Sequence, residues 1–369
     1  MKITVFGTRG IPNVLGGVET HCQYLYPLIV DKGIEVTVLA RSPYVNYRVS
    51  DYKGVKTKAL WAPKKTALEA IVHSIYAAVE TLFDGSDVVH VHAIGPGLVI
   101  PLLCLMGKKV VFTHHGADYQ REKWGWLAKK VLKLGERLAI NYATEVIVIS
   151  KVIQDQVRQS YRRDDTHLIH NGVASKAHYS EDEINIVMSQ YALSSRGYIV
   201  AVGRFVEEKG FHDLIEAYSR SNLTLPLVLI GDADHDSVYS QSLKQKARQT
   251  PGVIMTGLLT GAALQIVFSQ ARLFVMPSYH EGLPIALLEA LSYSLPVIVS
   301  DIAPNKEIGL AQECYFQVKN IEVLTHALMT RSDLKPQDYS MFLNRYDWYK
   351  IATQTSDVYH LALGISCEK

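Results

Sequence analysis

Two short stretches of this sequence hold the side chains best placed to do chemistry. The first, GRFVEEKG at 203–210, puts the cations Arg204 and Lys209 on a glycine-bounded loop that starts at Gly203 and runs into a helical pattern, FHDLIEAY. A helix N-terminus offers unpaired N–H groups and the positive end of its dipole, so two cations beside it suit an anion such as a diphosphate. A solvated turn in which Arg204 and Lys209 pair with Glu207 and Glu208 is the alternative, and the segment alone leaves both open. The second stretch, PSYHEGLPIALLEALSYSLPVIVSD at 277–301, carries two carboxylates. Pro284 fits the first turn of a helix running to about Leu295, which makes Gly282-Leu283 an exposed turn with its amides turned to a ligand. Glu281 precedes that helix and Glu289 lies inside it, so the two are not expected to share a face as an acid/base pair. Glu281 is expected to meet a sugar's hydroxyls. Glu289 either accepts from a ribose diol or caps and pairs within its own helix.

A third candidate is the opening, MKITVFGTRGIPNVLGGVET, an apolar strand running into a glycine-rich loop. The spacing of Gly7, Gly10 and the pair Gly16-Gly17 fits no dinucleotide fingerprint, and no Lys-Ser or Lys-Thr follows to make a P-loop. The loop nonetheless lies at a strand's carboxyl end, where ligands of open α/β sheets bind.

The elements that must position these residues follow from length and pattern. A chain of 369 residues predicts two domains. Short β-branched runs alternate with helical patterns, the mark of parallel βαβ units. ITVFG, VTVLA, VVHVHA, VVFTHH and VIVIS form one set. After a polar stretch the pattern restarts with YIVAVGR, LVLIGD, IMTG, LFVMP and PVIVSD. Two similar α/β domains joined near residues 172–196, with a ligand cleft between them, are expected.

Composition narrows the classes. Hydrophobic residues at 48%, charged residues at 20% and a formal net charge of +2 describe an ordinary globular chain with no global nucleic-acid bias. The four cysteines, Cys22, Cys104, Cys314 and Cys367, are scattered without a C-x-x-C, which argues against a disulfide framework and a zinc site and fits a reducing, cytoplasmic compartment. The start runs directly into a strand, so no signal peptide is expected. IGPGLVIPLLCLMG at 94–107 is too short to span a bilayer and is read as a buried helix. REKWGWLAKKVLKLGERLAI at 121–140 reads as an amphipathic helix with Leu127, Val131, Leu134 and Leu138 inward, and Trp126, Lys130, Lys133 and Arg137 on another face. That face suits either an anionic membrane surface or solvent.

GRFVEEKG, Gly231-Asp232, Thr256-Gly257 and PSYHEGLPIALLEA with PVIVSD together resemble the C-terminal domain of the retaining, nucleotide-sugar-dependent glycosyltransferases of family four, which have the GT-B fold. The first half is similar too: Gly16-Gly17-Val18-Glu19-Thr20 resembles the family's glycine-pair loop, THHG at 113–116 its histidine, and HNGV at 170–173 its hinge. Ser294 departs from the family, which has glycine before the x-Pro-Val turn. GTRGIP also resembles a bacterial subgroup that includes rhamnosyltransferases. The resemblance implies an α/β chain of two Rossmann-like, doubly wound parallel-sheet domains facing across a cleft. Residues 1–175 would take the acceptor, 176–345 the nucleotide-sugar donor, and 346–369 would pack back on the first domain.

It also implies roles. Arg204 and Lys209 would neutralise the donor's diphosphate as its charge grows, Glu289 would hold the ribose, and Glu281 with the Gly282-Leu283-Pro284 turn would contact the transferred sugar. His115, preferred to His114 from its place before the glycine, would lie near that sugar. Gly16, Gly17 and Gly203 would let the backbone approach the donor. No cofactor and no metal are expected; the Asp232-Ala233-Asp234 triplet resembles a metal-binding Asp-x-Asp but sits in the wrong domain. The reaction implied is retaining transfer to a saccharide acceptor, lipid-linked if the 121–140 helix meets the inner face of the cell membrane, in cell-surface polysaccharide synthesis. Three rivals remain: a nucleotide-sugar epimerase of the same architecture, a hydrolase pairing Glu281 with Glu289, and a non-catalytic nucleotide-sugar-binding scaffold.

Overall fold

The computed structural model describes residues 1–14, 16–63, 69–117, 119, 125–173, 177–233 and 237–365. Asp234, residues 121–124 of the basic helix, and Cys367 therefore lie outside the described residues. The chain divides into two compact units, Met1–Gly172 with Arg345–Lys369, and Val173–Asn344. The divisions fall slightly before the 175/176 and 345/346 limits expected from the sequence.

Among the described residues the first unit is built on eight strands: β1 (Lys2–Phe6), β2 (Glu35–Arg41), β3 (Val49–Tyr52), β4 (Val55–Leu60), β5 (Val88–His92), β6 (Lys109–His114), β7 (Glu145–Val148) and β8 (Thr166–Leu168). Their order is β3-β4-β2-β1-β5-β6-β7-β8, parallel except for the β3–β4 hairpin. Its helices are α1 (Gly17–Val30), α2 (Glu69–Phe83), α3 (Ile100–Leu105), α4 (Trp126–Tyr142) and α5 (Lys151–Tyr161). The C-terminal helix, α14 (Trp348–Ala362), belongs to this unit: its Ile351, Val358 and Tyr359 share one apolar cluster with Cys22, Leu25, Tyr26 and Ile29 of α1. The strands read as continuous apolar runs because helices cover both faces of such a sheet.

Among the described residues the second unit has six parallel strands, β9 (Ile199–Val202), β10 (Leu227–Ile230), β11 (Val253–Gly257), β12 (Leu273–Met276), β13 (Val297–Ser300) and β14 (Tyr315–Phe316), in the order β11-β10-β9-β12-β13-β14. Around them run α6 (Glu181–Ser189), α7 (Phe211–Ser221), α8 (Val238–Gln249), α9 (Gly261–Ser269), α10 (Ile285–Ser292), α11 (Ala303–Lys306), α12 (Ile321–Arg331) and α13 (Ser340–Leu343). In each unit the chain reverses its direction of sheet growth beside the first strand, between β1 and β5 and between β9 and β12. Such switch points open a crevice at the strands' carboxyl ends, which is where the candidate residues of both units lie.

Three local expectations are corrected. α4 does not bury Leu127 or Leu134, which are 61% and 49% exposed; it buries Gly135, Glu136, Ala139 and Ile140 instead. A Cβ on Gly135 would lie 2.3 Å from the Ile94 carbonyl oxygen, so close approach to the 94–97 turn decides which face turns inward. The 94–107 stretch is a 3-10 turn, Pro96–Val99, followed by the short α3, and Leu102 and Leu105 of α3 are exposed rather than buried. Finally, α10 ends at Ser292 rather than Leu295, with Pro284 at its N-cap, and Leu283 is buried, not exposed. Ser294, at φ 60°, takes the left-handed conformation that glycine adopts most cheaply, two residues beyond the helix end.

Candidate active site

In the second unit, the loops after β9 and β12 are fastened to each other. Tyr279 N–H donates to the Glu208 carbonyl at 2.8 Å, and Lys209 Nζ lies 2.6 Å from Glu281 Oε1. Lys209 thus pairs with neither Glu207 nor Glu208, and Glu207 is exposed. Burial disfavours the Glu281 charge, but the Lys209 ammonium outweighs it and holds the carboxyl below its usual range. Tyr279 donates its hydroxyl to Asp213 at 2.6 Å and meets His212 Nε2 at 3.0 Å, which ties the Glu281 loop to the first turn of α7. Arg204 and Gly203 follow directly on β9, on the loop that carries Lys209.

Glu289 lies on α10, and its carboxyl has no ion pair or hydrogen bond among the described residues. Burial pushes its pKa up to about 7. The reading in which it pairs within its own helix therefore fails, and a carboxyl poised between its two charge states can meet hydroxyl groups as acceptor or donor. Gly282, Leu283 and Pro284 connect Glu281 to α10, with Pro284 removing one donor from the turn. Asp232 is held by Lys244 at 2.6 Å, so the first carboxylate of the Asp-Ala-Asp triplet is engaged.

In the first unit, Gly16 is the N-cap of α1 at φ 140°, and a Cβ there would sit 2.0 Å from Glu19 Oε2. Glu19 accepts from Arg9 N–H at 2.9 Å and from the Thr8 hydroxyl at 3.3 Å. Its carboxylate thus organises the loop from within, a role the sequence reading missed. A Cβ on Gly17 would meet no atom within 4 Å, so that position opens onto free space.

His114 and His115 do different work. His114 is fully buried; Gly116 N–H donates to its Nδ1 at 3.1 Å, so the proton sits on Nε2 and is donated to Glu136 at 2.7 Å. Tyr161 donates to the other Glu136 oxygen at 2.6 Å, completing a closed structural network. His115 is only half-buried, and its Nε2 lies 2.8 Å from His92 Nδ1. His21 of α1 completes a cluster, its ring 5.1 Å from that of His115 and its Nδ1 3.0 Å from Asn171 Oδ1. Burial lowers the pKa of all three, His21 to about 4, and keeps the rings neutral. Their ring nitrogens all lie within 4.8 Å of one another, a grouping of metal-ligating atoms, and two of them, His92 Nδ1 and His115 Nε2, are hydrogen-bonded to each other. His21 and His92 escaped sequence reading because they stand on separate elements, with only the double histidine at 114–115 to mark the place.

The outer face of α4 presents Trp126, Leu127 and Leu134 together with exposed Lys130, Lys133 and Arg137, and Lys130 Nζ sits 4.6 Å from the Trp126 ring centroid. Exposed Leu102 and Leu105 of the neighbouring α3 add to the apolar surface of this unit. Among the described residues, no helix is long and apolar enough to cross a membrane.

Two switch-point crevices, one carrying paired cation and carboxylates and the other a neutral histidine, belong to the GT-B class of two-domain α/β proteins. Residues 15–176 match the family model described as Glycosyltransferase Family 4, and residues 187–331 match Glycosyl transferases group 1. The chain belongs to the family-four glycosyltransferases. It is 25% identical over 341 residues to a putative teichuronic acid biosynthesis glycosyltransferase of Bacillus subtilis, covering 84% of this chain and 82% of that one. Its fold is similar to that of sucrose-phosphate synthase from Thermosynechococcus elongatus, at a TM-score of 0.82, 20% identity and 99% and 100% coverage. It is also similar to Anabaena HepE in complex with UDP and glucose, at a TM-score of 0.78, 16% identity and 97% and 99% coverage.

Proposed function

We propose that this glycosyltransferase moves a sugar, with retention of anomeric configuration, from a nucleotide-diphosphate sugar to a saccharide acceptor in cell-surface polysaccharide synthesis. The observation that carries the reading is the Lys209–Glu281 pair at 2.6 Å, with the unpartnered Glu289 on the helix that follows the Glu281 loop. Lys209, with Arg204, supplies the positive charge a departing diphosphate needs, and it does so at the β9 switch point. Glu281 keeps Lys209 placed in the free protein and turns to the sugar's hydroxyls once the diphosphate takes the ammonium. Glu289 accepts from the ribose diol. His115, in the first unit, contacts the transferred sugar, and the acceptor is taken by that same unit. The charge on the diphosphate is met by these cations and not by a divalent ion.

In this reading the bond from the anomeric carbon to the diphosphate breaks as the acceptor oxygen bonds on the same face. The acceptor's proton passes to a diphosphate oxygen, so no protein nucleophile is required. The similarity to a putative teichuronic acid biosynthesis glycosyltransferase supports a polysaccharide product. The UDP and glucose bound by HepE support a nucleotide-sugar donor, while the GTRGIP resemblance favours a rhamnose donor. The exposed Trp126, Leu127 and Leu134 among basic residues on α4 favour peripheral contact with the inner face of the membrane and a lipid-linked acceptor. The test is incubation with UDP-, GDP- and dTDP-sugars and membrane-derived acceptors, reading the product by NMR. An α-linked product from an α-linked donor is expected; an inverted product, free sugar alone, or an epimerised donor contradicts the reading.

A further inference from the structure

His115 ends a buried chain of hydrogen bonds that reaches from the sheet interior to the crevice. Thr113 Oγ1 lies 2.7 Å from His90 Nε2, and His90 Nδ1 meets the Tyr359 hydroxyl at 2.7 Å and the Tyr26 hydroxyl at 3.0 Å. Tyr26 also meets His92 Nε2 at 2.5 Å, and His92 Nδ1 meets His115 Nε2 at 2.8 Å. The His115 Nδ1 atom, at the open end, has no partner among the described residues. Because both tyrosines, His90 and His92 are buried, His115 is half-buried and all three rings are neutral, each link holds one proton, and the direction of one link sets the next.

Tyr26 has a single proton and two imidazole nitrogens in reach. His90 Nδ1 already has the Tyr359 hydroxyl closer than that of Tyr26, and the Tyr26–His92 separation is the shorter of the two Tyr26 contacts. The Tyr26 proton therefore goes to His92 Nε2. A ring that accepts on Nε2 carries its own proton on Nδ1, so His92 donates to His115 Nε2, and His115 in turn carries its proton on Nδ1.

We propose that Tyr26 and His92 are positioning residues that lock His115 in the Nδ1–H form, so that it meets the bound sugar as a hydrogen-bond donor and selects a sugar that offers an acceptor oxygen at that point. The sugar contact rests on the reading under Proposed function; the proton order does not.

The test is a long-range proton–nitrogen correlation on the ligand-free protein with its histidines labelled by nitrogen-15, His115 being assigned with His115→Asn. The expected spectrum shows His115 protonated on Nδ1 in the wild type, and a mixture of both tautomers or the reversed one in Tyr26→Phe. Protonation on Nε2 in the wild type overturns the proposal, and so does a Tyr26→Phe spectrum unchanged from it. The wild-type result decides the matter even if Tyr26→Phe fails to fold. In turnover, Tyr26→Phe is expected to lower kcat/KM for the donor about tenfold while leaving binding of the free nucleoside diphosphate within about twofold, since the nucleotide does not touch His115. An Nδ1–H His115 in a protein that transfers no sugar would strike the transferase reading and leave the proton order standing.

Discussion

Lys209 Nζ and Glu281 Oε1 stand 2.6 Å apart on two loops of the second unit, so in the free protein the cation proposed for a diphosphate is held by the carboxylate proposed for a sugar. The pair is largely buried, with side-chain exposures of 21% and 12%, and removing one partner leaves the other charge with little solvent. Each of Lys209→Met and Glu281→Gln should therefore lower stability, Lys209→Met by up to about 3 kcal/mol. The double variant should regain most of that loss, because exchanging both partners for neutral isosteres is often close to neutral. Activity should not return with stability: the double variant is expected to remain at least about 100-fold down in kcat. Thermal melts and initial rates on the four proteins check this, and recovery of both together would mean that the pair is structural.

Glu289 predicts a pH dependence. Its folded-state pKa of about 7 lies above the ordinary carboxylate value, so the free protein favours the neutral form. The stability associated with that proton is present below pH 4.5 and is lost as pH rises through about 7. Glu289→Gln should therefore gain in Tm over the wild type between pH 5 and pH 8, the window on either side of that value. Nucleotide binding should run the other way. A diol donates best to the ionised carboxylate, so wild-type affinity relative to Glu289→Gln should rise from pH 6 to pH 8, as calorimetry at each pH would show.

The two adjacent histidines should separate cleanly. His114→Ala leaves the Glu136 carboxylate buried without its main donor and is expected to cost about 3 kcal/mol of stability. His115→Ala should leave the melting temperature within about two degrees of the wild type and lower kcat by about 100-fold. Urea titrations and rates on both variants give the comparison, and the opposite pattern would exchange their roles.

On α4, Trp126, Leu127 and Leu134 are exposed beside Lys130, Lys133 and Arg137. Flotation with liposomes containing anionic lipid should carry the wild type upward and leave Trp126→Ser/Leu127→Ser/Leu134→Ser below, with high salt weakening the wild-type association. Equal flotation on neutral lipid, or none, would count against a membrane surface.

Much of this was written in local pattern. The βαβ alternation gave both sheets, since buried parallel strands are continuous apolar runs that stand out from their neighbours. The hairpin β3–β4 was missed because VSDYKGVKTKAL lies at a sheet edge and alternates polar with apolar residues, Lys56 and Lys58 among them. α4 was turned the wrong way because its leucines carry the helical period, whereas the face that packs is chosen by Gly135 fitting under the Ile94 carbonyl. In the site, Arg204, Lys209, Glu281 and Glu289 were legible because each pair sits within one short segment. The links between segments were not: the Lys209–Glu281 pair spans 72 positions and the His90–Tyr359 contact spans 269, and no local pattern carries either.

A nucleotide-diphosphate donor held by Lys209 is tested most directly by calorimetric titration with UDP, GDP and dTDP in the presence of a chelator. Binding of one nucleotide in preference to the others, unaffected by the chelator and weakened at least about tenfold by Lys209→Met, is the predicted result. Failure to bind any of the three, or equal binding by wild type and Lys209→Met, would contradict it.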